Sequence, residues 1–314
     1  MSRGVPPSPA PSSLYGARLW GVAAGLARFL PGPALIALAK IGGAVYWRLA
    51  AHRREVVVAN LLPVLNNDRR EAVDAARRLF EDFAVKLADL WRYEGGSAAA
   101  DWFVDWKGWE IFAEASERGR GVLFVTPHVG NWELGGAFMA RHGRQLLVLT
   151  QAEPDPRLTA MRRKSRAQWG VETLVVGDDA FAFVEIIKRL QDGATVALLV
   201  DRPPAATAVT VELFGRPFAA SIAAAELARA SGCAIVPVYI VRGHDGYRAQ
   251  ILPEIHYDRA AIGNRAARVE LTAEILRAFE PVIRQNPTQW FHFVPVWTER
   301  PVSNHRASPA LQSR

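Results

Sequence analysis

A histidine that follows an apolar run, and is itself followed five positions later by a carboxylate, is the first chemistry-bearing feature of this 314-residue sequence. The pair is His128 and Glu133, within VLFVTPHVGNWE. Spacing alone carries little weight, since 7 histidines and 31 acidic residues in 314 produce such a pair by chance about 0.7 times. Placement carries more. The run VLFVT reads as a buried strand, Gly130 permits a sharp reversal, and Asn131 can cap a helix over LGGAFMA. An imidazole beside the free N–H groups of a helix start suits acyl transfer: the base removes a hydroxyl proton while the donors stabilise the oxyanion of a tetrahedral intermediate. A second apolar run, TVALLV, ends at Asp201 and Arg202. Five residues of regular helix turn through about 500°, so Glu133 returns to His128 only if HVGN is a loop. Asp201 needs no such bend, and either acid is a candidate for holding the imidazole in its reactive tautomer.

The elements that must position these groups read as α/β. From Trp102 onward, the short runs VLFVT, LLVLT, TLVV, TVALLV and IVPVYIV alternate with helical stretches such as Glu110 to Arg118 and Asp179 to Leu190. Continuous apolar runs of this kind belong to strands covered on both sides, so a mainly parallel central sheet with helices on both faces is expected. In such sheets ligands gather beyond the carboxyl ends of the strands, where His128 and Asp201 lie. A late strand is expected over Tyr247 to Pro253 and a closing helix over Arg265 to Arg284. Upstream, Asn67 or Asp68 caps an amphipathic helix whose apolar positions Val73, Ala76, Phe80, Phe83, Leu87 and Leu90 recur every three or four residues.

The N-terminal part differs in character. Residues 1–13 are rich in proline and serine and read as a flexible tail, as do residues 301–314. Residues 14–54 form an almost wholly apolar stretch that Arg28, Lys40 and the break Pro31-Gly32-Pro33 divide into pieces at the short limit for crossing a bilayer. Two half-embedded helices are therefore expected rather than two clean spans. The basic cluster Arg48, His52, Arg53 and Arg54 favours a cytoplasmic membrane face. The remainder, 55–300, is read as one α/β domain. A formal charge of +7 predicts attraction to anionic surfaces. The single cysteine, Cys233, lies in an apolar run and excludes an intrachain disulfide.

The motifs HVGNWE (128–133), VDRPP (200–204), VELFGRPFAAS (211–221) and ELARASGCAIVPVYI (226–240) resemble the bacterial lipid A biosynthesis lauroyl/myristoyl acyltransferases and the related phosphatidylinositol mannoside acyltransferases. The resemblance spans nearly the whole chain. It implies a glycerolphosphate-acyltransferase-like fold, His128 as general base, and Glu133 and Asp201 as the acids that orient and polarise it. It also implies an acyl carrier protein or coenzyme A thioester as donor, a membrane lipid as acceptor, the inner membrane as location, and neither cofactor nor metal. Asn131, Arg163, Arg166 and Arg216 are candidates for binding substrate, because guanidinium groups bind phosphate in a forked geometry that lysine does not reproduce. Arg166, four residues before Gly170, matches the family pattern best, with Arg163 second. Near the C-terminus, where the lipid A enzymes carry a WLHRR-like sequence, this chain reads WFHFVPVW. That departure leaves a phospholipid, another glycolipid or an aminolipid open as acceptor, and the aromatic cluster itself reads as packing.

Other classes fare less well. A serine hydrolase requires a G-x-S-x-G elbow, which the sequence lacks. Nucleic-acid binding would need clustered basic residues within a recognisable motif. A non-catalytic protein that binds membrane or acyl carrier and keeps the same fold is the alternative that composition permits.

Overall fold

A computed structural model describes residues 16–298 except 98, 177–179 and 205–206. The expected tails at 1–13 and 301–314, and the expected helix start at Asp179, lie outside the described residues.

Apolar β-branched runs become strands where both faces find cover. Seven strands form the main sheet: β1 (Phe103–Lys107), β2 (Val122–Thr126), β3 (Leu146–Thr150), β4 (Val171–Val175), β5 (Thr195–Leu199), β8 (Ala234–Arg242) and β9 (Tyr247–Ile251), in the order β1-β9-β8-β2-β5-β3-β4. Five of these run parallel, while β9 pairs antiparallel with β8 and carries β1 beside it. The block at 208–221 folds apart as an antiparallel hairpin, β6 (Ala208–Leu213) and β7 (Arg216–Ser221). The FGRP stretch, which from local sequence alone reads as a turn between a strand and a helix, thus joins two strands instead.

Alternation along β2 shows the layering. Val122 and Phe124 pack with Phe112 of α5 (Trp109–Glu117) and with Phe138 and Met139 of α6 (Gly135–Arg141). Leu123 and Val125 face the opposite layer, where α8 (Ala180–Gln191), α9 (Ala223–Ser231) and α10 (Arg265–Arg277) contribute to a larger core. The remaining helix on the α6 side, α7 (Pro156–Gln168), precedes β4. The expected closing helix divides into α10 and α11 (Glu280–Gln285), because Pro281 has no N–H to continue the first and fits the opening turn of the second.

Four helices precede the sheet: α1 (Ala17–Ala27), α2 (Gly32–Leu49), α3 (Ala51–Leu61) and α4 (Arg69–Glu94). Asp68 caps α4, its Oδ1 accepting from the N–H groups of Arg70 and Glu71. Where α2 crosses α4, a Cβ on Gly43 would lie 2.6 Å from the Phe80 carbonyl oxygen, so glycine sets the closeness of that crossing. The boundary expected at residue 54 falls inside α3, whose Val57, Val58 and Leu61 belong to the same core as the sheet. No single described helix is long and apolar enough to cross a membrane, and α2 and α3 meet at a 98° bend. Instead, Leu19, Val22 and Leu26 of α1, Phe29 after it, and Leu38, Ile41, Val45 and Leu49 of α2 stand exposed.

Asn60 of α3 ties this helical layer to the C-terminal segment. Its amide donates to the carbonyls of His292 (3.0 Å) and Val294 (2.8 Å), and its Oδ1 accepts from the Val296 N–H (3.3 Å). Replacing Asn60 with Ala leaves these backbone groups without partners, which predicts a loss of about 3 kcal/mol in a urea denaturation experiment, at roughly 1–3 kcal/mol for a buried group left unsatisfied. An unchanged midpoint would show that the tie contributes nothing.

Candidate active site

Parallel neighbours β2 and β5 end side by side and deliver His128 and Asp201 to one place. His128 Nδ1 lies 2.6 Å from Asp201 Oδ1, and the His128 backbone N–H donates to Asp201 Oδ2 at 2.9 Å. Two further donors arrive from the C-terminal segment: Trp290 Nε1 at 3.1 Å and His292 Nε2 at 2.8 Å, both to Asp201 Oδ2. Burial by itself would push the Asp201 carboxyl up, but the charges and hydrogen bonds of the two imidazoles hold it well below its ordinary value. It is therefore an acceptor only, which places the His128 proton on Nδ1 and leaves Nε2 with a free lone pair. Burial lowers the His128 value from 6.5, with Asp201 pulling in the opposite direction. The imidazole is accordingly neutral at pH 7 and able to take a proton.

The loop that presents His128 is tightly determined. Gly130 adopts φ +61°, and a Cβ there would lie 1.9 Å from the Ile240 carbonyl oxygen. The Gly130 N–H donates to the Gln289 carbonyl and the Asn131 N–H to that of Ile240. These two groups and the His128 N–H are thus engaged, so the loop does not offer them to an oxyanion as a free helix start would. Asn131 also makes no side-chain cap; its amide donates to the Tyr247 hydroxyl at 3.3 Å.

Glu133 turns the other way, because the short 3₁₀ turn at Trp132–Leu134 faces α7. Its Oε1 accepts from Arg162 Nη2 at 2.5 Å, and its Oε2 from Arg166 Nη2 at 2.9 Å and Nε at 3.2 Å. Arg162 also donates to Glu153 at 2.6 Å and lies 3.4 Å from Glu94. Burial would raise the Glu133 carboxyl, but Arg162, Arg166 and Lys86 together hold it far below the usual carboxylate range. Glu133 therefore acts as the anchor for α7, while Asp201 is the carboxylate on the imidazole.

The model of the bacterial lipid A biosynthesis acyltransferases matches residues 11–299. The chain belongs to this family. Among curated relatives, a phosphatidylinositol mannoside acyltransferase of Mycobacterium tuberculosis is 28% identical over 198 residues, covering 62% of this chain and 60% of the relative. One from Mycolicibacterium smegmatis is 26% identical over 187 residues, covering 58% of this chain and 59% of the relative. The chain thus spans about 60% of the length of the curated relatives it matches. The crystal structure of the 1-acyl-sn-glycerophosphate acyltransferase PlsC from Thermotoga maritima is 13% identical, with a TM-score of 0.36 over 80% of this chain and 95% of that one.

In this acyltransferase-family chain, an apolar cavity opens beside the HVGNWE loop, about 890 Å³ counting its mouth. Phe124, Met139, Val148, Ala197 and Ile240 form its walls, and Glu133 and Arg166 contribute polar atoms to its lining. Of the candidate arginines, Arg166 is buried on Glu133, as is its neighbour Arg162, whereas Arg163 is exposed on α7. Arg216 is exposed at the β6–β7 turn, its Nη2 3.4 Å from Asn67 Oδ1. Neither Arg163 nor Arg216 joins His128.

His292 and Trp290 are the partners of Asp201 that composition concealed. Both sit in WFHF, where aromatic residues suggested packing alone, and the useful signal was a histidine embedded in an apolar run, as His128 is. His128, Asp201 and His292 present ligand atoms within 4.8 Å of one another, a spacing that would also admit a cation. Hydrogen bonding of one nitrogen of each ring, His128 Nδ1 and His292 Nε2, to Asp201 accounts for that spacing.

In histidine-detected NMR the His128 ring is predicted to titrate below 6.5, and lower still in Asp201→Asn, because the Asp201 charge is what raises it. A value above 6.5 in the wild type would contradict the electrostatics described here.

Proposed function

We propose that the chain is an O-acyltransferase that moves a fatty acyl group from an acyl carrier protein or coenzyme A thioester to a hydroxyl of a membrane lipid. The acceptor is a lipid A precursor or another glycolipid or phospholipid. The observation that carries this reading is a neutral imidazole, fixed through Nδ1 by Asp201 and packed 4.8 Å from Trp132, whose indole lines an apolar cavity suited to an acyl chain. Membership of an acyltransferase family supports it, as do the parallel sheet and the position of His128 after β2, which fit a glycerolphosphate-acyltransferase-like fold.

In the proposed step, His128 Nε2 removes the proton of the lipid hydroxyl as its oxygen attacks the thioester carbonyl carbon. The C–O bond forms, the tetrahedral intermediate collapses, and the C–S bond breaks. The departing thiolate takes the proton from the imidazolium. Asp201 offsets the transient positive charge on His128, and the chain's own groups need no covalent acyl intermediate. Glu133 keeps Arg166 and Arg162 in place at the cavity, which makes it a positioning residue. Arg163, Arg216 and Asn131 remain candidate substrate contacts from the exposed rim and from the loop.

The exposed apolar residues of α1 and α2 support docking on the cytoplasmic face of the bacterial inner membrane, with the helices lying in the interface rather than crossing it. The basic balance of the chain would assist on an anionic surface. A non-catalytic lipid- or acyl-carrier-binding protein of the same fold is the competing reading, and catalysis itself separates the two.

Purified protein is expected to transfer label from an acyl thioester to extracted lipid. His128→Ala should lower the rate about 10²- to 10⁴-fold, the usual contribution of a general base. The rate should rise with pH through a value below 6.5 and then level off, because only neutral His128 accepts a proton. Full turnover in Asp201→Asn, with loss in Glu133→Gln, would reverse the roles given to the two acids. Separately, Leu38→Asp together with Ile41→Asp should release the protein from anionic vesicles in a flotation assay; retention would show that α2 does not dock.

A further inference from the structure

A second cavity lies on the other side of the HVGN loop and differs in chemistry from the apolar one. It measures about 880 Å³ counting its mouth, and Ile36 and Lys40 of α2, Lys86 of α4, Gly130, Asn131 and Arg242 all line it. The 130–133 segment divides the two spaces: Gly130 and Asn131 face this cavity, while Trp132 and Glu133 line the apolar one.

Lys86 is the informative residue. It is only 7% exposed, and its Nζ lies 3.4 Å from the centroid of the Trp132 indole. Among the described residues, no hydrogen bond or ion pair reaches that Nζ. A buried ammonium has three protons to donate, and an aromatic face satisfies it only in part. Burial pushes its value down to about 7 even though Glu133 pulls the other way. An anion entering the cavity would restore the charge and supply the missing acceptor. Arg242 adds a second donor set, since its Nε is held by Asp89 at 3.2 Å while no described residue accepts from its Nη groups. Lys40 stands exposed at the rim. The one carboxylate lining the cavity is Asp82, which accepts from the Thr288 hydroxyl at 2.7 Å and is raised by its burial. Cationic donors therefore outnumber anionic groups, and they come from three separate elements, an arrangement suited to a tetrahedral anion with several acceptor oxygens.

We propose that this cavity binds a phosphate group, held by Lys86 and Arg242 with Lys40 at its entrance, and that the group belongs to the headgroup of a membrane lipid. The lipid source follows from α2, which supplies one wall through Ile36 while Leu38, Ile41 and Val45 of the same helix stand exposed. Trp132 connects the two chemistries, with Lys86 against its ring and the His128 imidazole edge-on at 4.8 Å. A phosphate held here sits one indole away from the base, which makes it a handle for the acceptor lipid. In that respect the proposal rests on the acyl-transfer reading.

The test is calorimetric titration of the full chain in non-ionic detergent, once with inorganic phosphate and once with dihexanoyl-phosphatidic acid below its micelle concentration. Saturable binding of both is expected, weakened at least tenfold by Lys86→Gln and by Arg242→Gln and unchanged by the exposed control Lys188→Gln. Binding of inorganic phosphate without the lipid would overturn the lipid source. Absence of saturable binding, or binding that neither Lys86→Gln nor Arg242→Gln reduces, would overturn the site. Because two variants are used, misfolding of one, visible by circular dichroism, leaves the other to decide. The titration involves no turnover, so the two readings fail separately. Phosphate binding retained in a His128→Ala protein that has lost transfer supports both; transfer that persists in His128→Ala sinks the catalytic reading and leaves the phosphate site standing.

Discussion

Asp201 keeps its negative charge with only 1% of its side chain reaching solvent, and it does so by collecting donors from His128, Trp290 and His292. A buried carboxylate without such partners would take up a proton, and the imidazole beside it would then lose the acceptor that fixes its tautomer. Much of the molecule serves that one group. The parallel pairing of β2 and β5 sets the two catalytic candidates side by side, and the 289–292 stretch pairs with the His128 loop through the Val129–Trp290 bridge and the Phe291 N–H to the His128 carbonyl. Asn60 holds the same stretch from behind.

A second buried charge network lies next to the first and solves a different problem. Glu133, Glu94 and Glu153 share the Arg162 guanidinium, and Arg166 adds a forked contact to Glu133. Such networks add little net stability relative to apolar packing, but removing one partner strands the others in a medium that penalises unpaired charge. Their consequence here is geometric, because α7 is locked to the loop that follows β2 and to the C-terminal end of α4. The wall of the apolar cavity is thereby fixed by ion pairs at its polar end, next to the apolar packing of Leu158 and Leu134.

The sequence made some of this legible and hid the rest, for identifiable reasons. His128 and Asp201 were visible as a pair because each directly follows a continuous apolar run, and the carboxyl ends of parallel strands share an edge. Glu133 was harder to place, since the conformation of the 130–133 loop decides which way it turns, and that conformation depends on the Ile240 carbonyl lying against Gly130. Arg162 and Arg163 are neighbours in sequence but lie about 100° apart around α7, one buried and the other exposed, a distinction that needs the phase of the helix. His292 was concealed by its aromatic surroundings, which also serve packing. The antiparallel β9, the β6–β7 hairpin and the division between α10 and α11 were blurred by local pattern alone, because sheet direction and turn type are set by distant partners.

His292 and Trp290 follow every strand of the main sheet in chain order, which has a consequence for biosynthesis. During translation, β2, β5 and the sheet around them can assemble well before residue 292 leaves the ribosome, but until then Asp201 lacks two of its donors. A nascent chain that has not yet reached residue 292 therefore carries the Asp201 carboxylate short of its partners, and the 290–292 stretch completes the site only after the sheet that holds it has been made.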